Sequence, residues 1–463
     1  MSAPMTITRS NLLGFTITSQ RLLIPEEVLL QIFTALLEGT DSSASLVPPS
    51  RTCSTFRRIL FGTPQLWTRI RVDGSFAVRE TSIPGCADWP MLDRLLGLSE
   101  KLLLSLHLDF RCASRDHNAK LLQMLERGCF HRLIKLLDHR QALFRCTNIT
   151  VWCSTWDLLI PIAEYLDDLE YPLTYIESVT LRCDHYGHTY RPEHPPRDDL
   201  SSSLIEGSVE RSVALTPFLA HVVLDSFPID YQCFSPCNLT SLTLNNVPKG
   251  IHSLTWGDLS FVLKMNERTL TQLHLGVGAV PSQVEAGVQV PLNLPQLSGL
   301  SIEYTDPAEM YVLAHFLVLP KLRLLYIQNS ANSGGSQNSH EMIQYTHAVY
   351  ETMKDRWPLP QVIHLRMSGP AFYDVEENPI SKLEQYYLRG MAWKDRFPLA
   401  SDFFYQFHAL QILELYQPDQ NTLKTLLYPP VILNSSGQPG IRKYFPNLRR
   451  HNLQQDRRWA IGR

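Results

Sequence analysis

No stretch of this sequence approaches the ~18 consecutive apolar residues that a membrane-crossing helix needs. The opening "MSAPMTITRSNLLGFTITSQR" lacks the basic start and long apolar centre of a secretory leader. Charge of one sign is also scarce, since 42 basic and 45 acidic residues leave a formal net charge of −3. That balance supplies no chain-wide attraction for a phosphate backbone or an anionic bilayer, so neither nucleic acid nor a membrane is the expected partner. The nine cysteines (Cys53, Cys86, Cys112, Cys129, Cys146, Cys153, Cys183, Cys233, Cys237) are odd in number, irregularly spaced and often beside apolar residues. Such usage fits reduced thiols acting as small hydrophobes, and the expected location is cytoplasmic or nuclear. The sequence holds no glycine-rich phosphate loop with its lysine, no His-Glu-x-x-His and no Gly-x-Ser-x-Gly. No catalytic residue is therefore nominated, and no cofactor is expected.

Two stretches come nearest to a metal site. "CDHYGHTYRPEHPPRDDL" gathers Cys183, Asp184, His185, His188 and His194, and "CFSPC" carries Cys233 and Cys237. Neither spacing matches a standard zinc pattern, and a loop rich in Pro, Asp and Ser is more simply solvated. No metal is expected. The basic tail "RKYFPNLRRHNLQQDRRWAIGR" reads as the solvated end of the last structural unit.

What the chain has in quantity is apolar material, 44% of 463 residues, and a recurring pattern. Apolar-x-x-apolar-x-apolar appears as "LLSLHL" from Leu103, "CTNITV" from Cys146, "IESVTL" from Ile176, "LAHVVL" from Leu219, "LTSLTL" from Leu239 and "LTQLHL" from Leu270. It continues as "LSGLSI" from Leu297, "LRLLYI" from Leu322, "VIHLRM" from Val362, "LEQYYL" from Leu383 and "LQILEL" from Leu410. The last two apolar positions alternate with the strand period, and the first sits where the chain turns into the strand. Between several strands lie segments of helical spacing. In "TDPAEMYVLAHFLVLP", Asp306 is placed to cap, Pro307 to start the helix, and Met310, Leu313, Ala314 and Leu317 to form its apolar stripe. In "WGDLSFVLKMNER", Asp258 precedes Leu259, Val262 and Leu263. A lone strand-helix unit cannot bury its apolar face, whereas stacked units share one core.

The pattern resembles degenerate leucine-rich repeats over roughly residues 100 to 455, with intervals of about 20 to 43 residues against the usual ~20–29. The asparagine that follows the strand in that family is matched by Asn245, Asn246 and Asn329 only. The resemblance implies an α/β fold, an irregular leucine-rich-repeat solenoid. An ordinary α/β domain built on a parallel sheet is the rival reading.

Near the front, "RLLIPEEVLLQIFTALL" combines Pro25 in a first helical turn, acids Glu26 and Glu27 at its positive end, and an apolar face of Val28, Leu29, Ile32, Phe33 and Leu36. A second short element carries Cys53, Phe56, Ile59 and Leu60, and "GTPQLW" turns the chain so that Leu66 and Trp67 approach both. About 50 residues of this kind lie near the lower limit for a self-sufficient core, and such a unit commonly needs a partner.

Residues Ile24 to Phe33 with "RTCSTFRRILFGTPQLWTRI" resemble an F-box, the motif that docks on the Skp-type adaptor of a cullin-based ubiquitin ligase. Ile24-Pro25 stand for its leading Leu-Pro, Glu27 for the acid that follows, Ile32-Phe33 for its closing pair, Cys53, Phe56 and Arg57 for Cys-x-x-Trp-Arg, and Pro64, Leu66 and Trp67 for Pro-x-Leu-Trp. Ile24 and Phe56 depart from the family's Leu and Trp, and Pro48-Pro49 interrupt the middle of the motif. The resemblance implies an all-helical F-box at 21–71 after a leader at 1–20, a connecting segment at 72–100, and the repeat region at 101–455. It implies that Ile24, Pro25, Glu27, Val28, Leu29, Ile32, Phe33, Leu36, Cys53, Phe56, Leu66 and Trp67 serve adaptor binding. An F-box followed by irregular repeats is familiar among fungal substrate receptors. The expected function is thus the non-catalytic substrate-recognition subunit of an SCF-type ligase, partnered by the adaptor, through it a cullin, and a target protein. A repeat scaffold or inhibitor-like module without a ligase is the alternative.

The repeat register nominates the target surface. Residues alternating with the buried pair face the other way, which makes Thr243, His274, Ser301, Tyr326, Arg366, Tyr387 and Glu414 one exposed row.

Overall fold

The computed structural model describes residues 24–40, 42–73, 89–111, 129–154, 173–183, 218–226, 237–247, 254–281, 291–330, 339–369, 403–418, 422–423, 426, 431–433, 439–441 and 445–454. The chain starts with helices: α1 (Glu26–Thr40), a 3-10 turn (Ser43–Leu46), α2 (Val47–Ser50), α3 (Ser54–Phe61) and a second 3-10 turn (Pro64–Trp67). Pro25 stands just before α1, and its carbonyl accepts from Val28 and Leu29 N–H, both at 3.1 Å. Glu26 and Glu27 lie in the first turn of α1, where a helix favours negative charge. Pro48 and Pro49 confine α2 to four residues, because a proline donates no hydrogen bond and is tolerated only near a helix start. Cys53 caps α3, its Sγ accepting from Phe56 N–H at 3.4 Å.

The rest of the described chain is a large parallel sheet with helices in some of its crossovers, a mixed α/β architecture. Its twelve strands are β1 (Arg69–Asp73), β2 (Leu104–Phe110), β3 (Cys146–Cys153), β4 (Ser178–Cys183), β5 (His221–Asp225), β6 (Ser241–Asn245), β7 (Gln272–Leu275), β9 (Gly299–Tyr304), β11 (Leu324–Asn329), β12 (His364–Ser368), β13 (Ile412–Tyr416) and β16 (Arg450–Gln454). They follow one another in chain order, each parallel to the last. Short pairs β8 (Leu292–Asn293) with β10 (Leu317–Val318), and β14 (Val431–Leu433) with β15 (Pro439–Ile441), lie outside that sheet. A parallel neighbour requires a crossover, and connections of one hand add every new strand to the same edge.

Ten of the eleven apolar-x-x-apolar-x-apolar runs are strands of this sheet, and the run from Leu383 lies outside the described residues. Two strands carry the template without having been read as units. In β1 the leading position is Trp67, followed by Ile70 and Val72; in β16 it is Leu448, with His451 where an apolar residue was expected. One face of the sheet stacks Ile70, Leu106, Ile149, Val179, Val222, Leu242, Leu273, Leu300, Leu325, Leu365 and Leu413 directly across neighbouring strands. Leading residues such as Leu239, Leu270, Leu297, Leu322 and Leu410 are fully buried beside them. Each strand therefore hands its apolar side chains to the next.

Two helices close this core where the sequence placed them. In α7 (Pro307–Phe316), Asp306 accepts from Ala308 N–H at 2.9 Å, and Met310, Leu313 and Ala314 are buried. Leu317 is buried too, but it begins β10 rather than ending the helix. In α6 (Trp256–Met265) the cap is Thr255. Thr255 Oγ1 accepts from Asp258 N–H at 3.1 Å, and the Asp258 carboxylate accepts from Thr255 N–H at 3.2 Å. The other helices are α4 (Pro90–Leu98), α5 (Cys129–His139) and α8 (Ser339–Arg356). A buried cation finishes α4: the Arg145 guanidinium donates to the Leu96 and Ser99 carbonyls, which the helix end leaves open, at 3.2 and 3.5 Å, and to the Leu102 carbonyl in the following turn at 3.0 Å.

Candidate functional site

The N-terminal helices sort the nominated docking residues into two groups. Leu29 and Phe33 of α1 point inward with Leu37 and join Leu46, Ile59, Leu60, Leu66 and Trp67 in the core. Phe33 meets the half-buried Phe56 edge-to-face, with centroids 5.3 Å apart. Trp67 is fully buried and its indole N–H donates to the Leu60 carbonyl at 2.7 Å. This core is continuous with that of β1, and Arg69 N–H donates to Ser43 Oγ at 3.2 Å across the junction. The single apolar face expected on α1 is in fact two adjacent stripes. Ile24, Val28, Ile32 and Leu36 remain exposed at 43, 41, 50 and 36%. Pro25, Glu27 and Cys53 are exposed as well. Val28, Ile32 and Leu36 recur at i, i+4 intervals and so lie along one side of α1.

The residues nominated for target contact lie on the other face of the sheet. Thr243 stands opposite His274, His274 opposite Ser301, Ser301 opposite Tyr326, Tyr326 opposite Arg366 and Arg366 opposite Glu414. Six of the seven nominated residues thus form one unbroken row, and Tyr387 lies outside the described residues. The same row runs back from Thr243 through Val223, Thr180, Thr150 and His107 to Arg71.

Hydrogen bonds join the row to its neighbours. His274 Nδ1 lies 2.7 Å from Ser301 Oγ, and Tyr326 Oη lies 3.1 Å from His364 Nδ1, their rings edge-to-face. His364 Nε2 is 3.8 Å from a Glu414 carboxylate oxygen, and the Arg366 guanidinium sits 4.7 Å over the Tyr416 ring. Burial pushes His364 below the ordinary imidazole value, against the pull of Glu414. Burial pushes the Tyr326 hydroxyl up, and Glu414 adds to that. His364 and Tyr416 were missed by the sequence reading because they flank the row rather than occupy it.

Burial likewise lowers His274, with Glu303 and Asp225 opposing. A histidine whose folded pKa lies below its unfolded value of ~6.5 favours the folded state when neutral, so its contribution is present above that value and is lost as pH falls through it. Melting temperature is expected to drop between about pH 7.5 and about pH 5.5, and His274→Gln to flatten that slope. An unchanged slope in the variant would show that His274 is not the titrating group.

Of the two stretches examined for metals, residues 184–200 and Cys233 lie outside the described residues. Among the described residues no group of three or more His, Cys, Asp or Glu side chains is placed to hold a metal ion, and no helix is long and apolar enough to cross a membrane.

Residues 22–73 match an F-box-like family model. The matched segment is the helical unit that carries the exposed stripe. It supports an F-box protein and suggests an adaptor-binding role, since F-box domains typically bind Skp-type adaptors and F-box proteins are generally non-catalytic. No curated protein matches the chain.

Proposed function

We propose that this protein is the substrate-recognition subunit of an SCF-type ubiquitin ligase. The F-box, residues 21–71, docks a Skp-type adaptor and through it a cullin. A connecting segment at 72–100 leads into an irregular leucine-rich-repeat solenoid at 101–455, whose polar face binds the target. The observation that carries this reading is the exposed stripe Ile24, Val28, Ile32 and Leu36 within the F-box-like segment. Leu29, Phe33, Leu66 and Trp67 serve docking from beneath, by fixing the angle at which α1 presents that stripe. The chain performs no chemistry. A target held beside the charged ubiquitin carrier meets it intramolecularly, at an effective concentration set by geometry.

On this reading the row from Thr243 to Glu414 contacts the target, and Tyr326 and Arg366 are of the types that most often dominate binding energy. Tyr326→Ala, Arg366→Ala and Glu414→Ala together are expected to lower target recovery at least about tenfold in affinity capture under proteasome inhibition, with adaptor recovery unchanged. Target capture that survives the triple change in a folded protein would place recognition elsewhere. Target capture without any adaptor would favour a scaffold that works without a ligase.

A further inference from the structure

We infer that the outer edge of β16 is a docking site for an extended acidic segment of the target protein, which adds there as one more strand and is selected by Arg449 and Arg450. The inference rests on the receptor reading and names the chemistry that the last strand of the sheet recognises.

The two ends of the sheet are finished differently. At β1 the helical unit lies against the end strand, and Arg69 N–H donates to Ser43 Oγ at 3.2 Å. At the other end β16 pairs with β13 and, among the described residues, with no further strand. Arg450 N–H donates to the Gln411 carbonyl at 3.0 Å. In a parallel ladder one residue turns both its N–H and its C=O to the same neighbour, and the next residue turns both the other way. Arg450, Asn452 and Gln454 therefore serve β13, while His451 and Leu453 present their donors and acceptors outward. Asn452 stands level with Glu414, so an added strand extends the row that runs from Thr243.

An unpaired edge by itself selects nothing, and charge supplies the choice. Strands β12, β13 and β16 carry Arg366 and Arg450 against Glu414, and Arg449 stands one residue before β16, so three arginines meet one acid. Arg449, Arg450 and His451 are exposed, and no carboxylate pairs with either arginine among the described residues. Arg450 is also near enough to His364 to oppose its protonation, so its charge reaches the polar face. The surrounding sequence has the same sign, since residues 442–463 hold seven basic residues against Asp456 alone. Charge on an edge strand keeps like edges apart. A second copy, or any basic strand, would set cation beside cation, whereas an acidic strand sets opposite charges across the pair. The same arginines thus reject one class of edge partner and admit the other. The outward carbonyls of His451 and Leu453 decide between a peptide and a nucleic acid, because a phosphate backbone accepts hydrogen bonds and donates none. Main-chain bonds hold the segment, and the arginines choose it.

The test uses the full chain and short fluorescein-labelled peptides in which threonine alternates with glutamate or with lysine. By fluorescence anisotropy at low salt, the glutamate peptide is expected to bind at least about tenfold more tightly than the lysine peptide, with the advantage shrinking as salt rises. The same glutamate peptide with every amide N-methylated should lose about tenfold or more, because it cannot complete a ladder. Arg449→Glu with Arg450→Glu should turn the preference toward lysine. His451→Pro should lower glutamate binding about tenfold or more with the fold intact, since the lost N–H faces outward and an extended Arg450 tolerates a following proline. Equal binding of the glutamate and lysine peptides, an N-methylated peptide that binds like its parent, or a folded His451→Pro chain that does so would each overturn the proposal. So would a labelled oligothymidine that binds more than about tenfold tighter than the glutamate peptide, which would make the edge a nucleic-acid site. A dimer by light scattering would assign the edge to a second copy, and glutamate binding that rises more than about tenfold when residues 456–463 are removed would assign it to the chain's own end; either result overturns the proposal. If a variant does not fold, the three peptides on the unaltered chain decide alone. Adaptor capture is read separately on the same preparation. Its loss with glutamate selectivity intact would remove the ligase and leave the edge site standing.

Discussion

Val28→Asp with Ile32→Asp is expected to abolish capture of a Skp-type adaptor while leaving the chain folded. Both side chains are exposed on α1, at 41 and 50%, so the free protein loses little packing, and the change should cost no more than about 1 kcal/mol through helix propensity and local charge. In the complex the same positions are covered, and a carboxylate without a partner pays its desolvation in full, commonly several kcal/mol. A loss of 3 kcal/mol or more corresponds to a factor of more than about 100 in affinity. The contrast is one residue away, about 100° around the helix. Leu29 and Phe33 are 4% and 3% exposed, and an acid at either position should unfold the helical unit itself. Pull-down with circular dichroism on both pairs separates the effects. Adaptor recovery at the parental level from a folded Val28→Asp, Ile32→Asp protein would dissociate the exposed stripe from docking.

Trp67→Ala is expected to cost about 3–5 kcal/mol for the lost packing, with about 1 kcal/mol more for the lost indole hydrogen bond, since the Leu60 carbonyl keeps the Thr63 N–H as a donor at 3.3 Å. Trp67 is fully buried and stands two residues before β1, the edge strand whose Ile70 and Val72 share its core. A unit of about 50 residues has little stability in reserve, so the damage should spread across residues 26–73 before it reaches strands β9 to β13. Amide hydrogen exchange resolves this directly. Protection should fall over 26–73, adaptor capture should fall with it, and the far strands should keep their protection. Unchanged protection over 26–73 would mean that Trp67 is not the keystone of the helical unit.

Much of this architecture was legible in the sequence because its signal is local and repeated. An apolar residue entering each strand and two more at alternate positions sufficed to place ten strands of the sheet. Strand β1 escaped because its leading residue, Trp67, had already been used as the end of the helical motif, and β16 because His451 breaks the apolar pattern. The alignment of the row from Thr243 to Glu414 followed from the period of two alone, but its expected exposure did not hold: only Arg366 is exposed, and Thr243, His274, Ser301, Tyr326 and Glu414 are half-buried among their cross-strand neighbours. The groups gathered around it were not legible. His364 beside Tyr326, and Trp152 beneath Arg111 and Arg182, depend on which residues of different strands stand level, and the uneven crossovers hide that register. On α1 the ambiguity was angular. Val28, Ile32 and Leu36 form one i, i+4 stripe and Leu29, Phe33 and Leu37 the next, and periodicity shows a broad apolar sector without saying which half the fold keeps.

The account stands most directly on reconstitution of the full-length chain with a purified Skp-type adaptor and its cullin, followed by size-exclusion chromatography with light scattering. A single stoichiometric complex containing all three is the result expected, since the exposed stripe of α1 is complete in the free protein. Elution of a folded chain apart from the adaptor would contradict it.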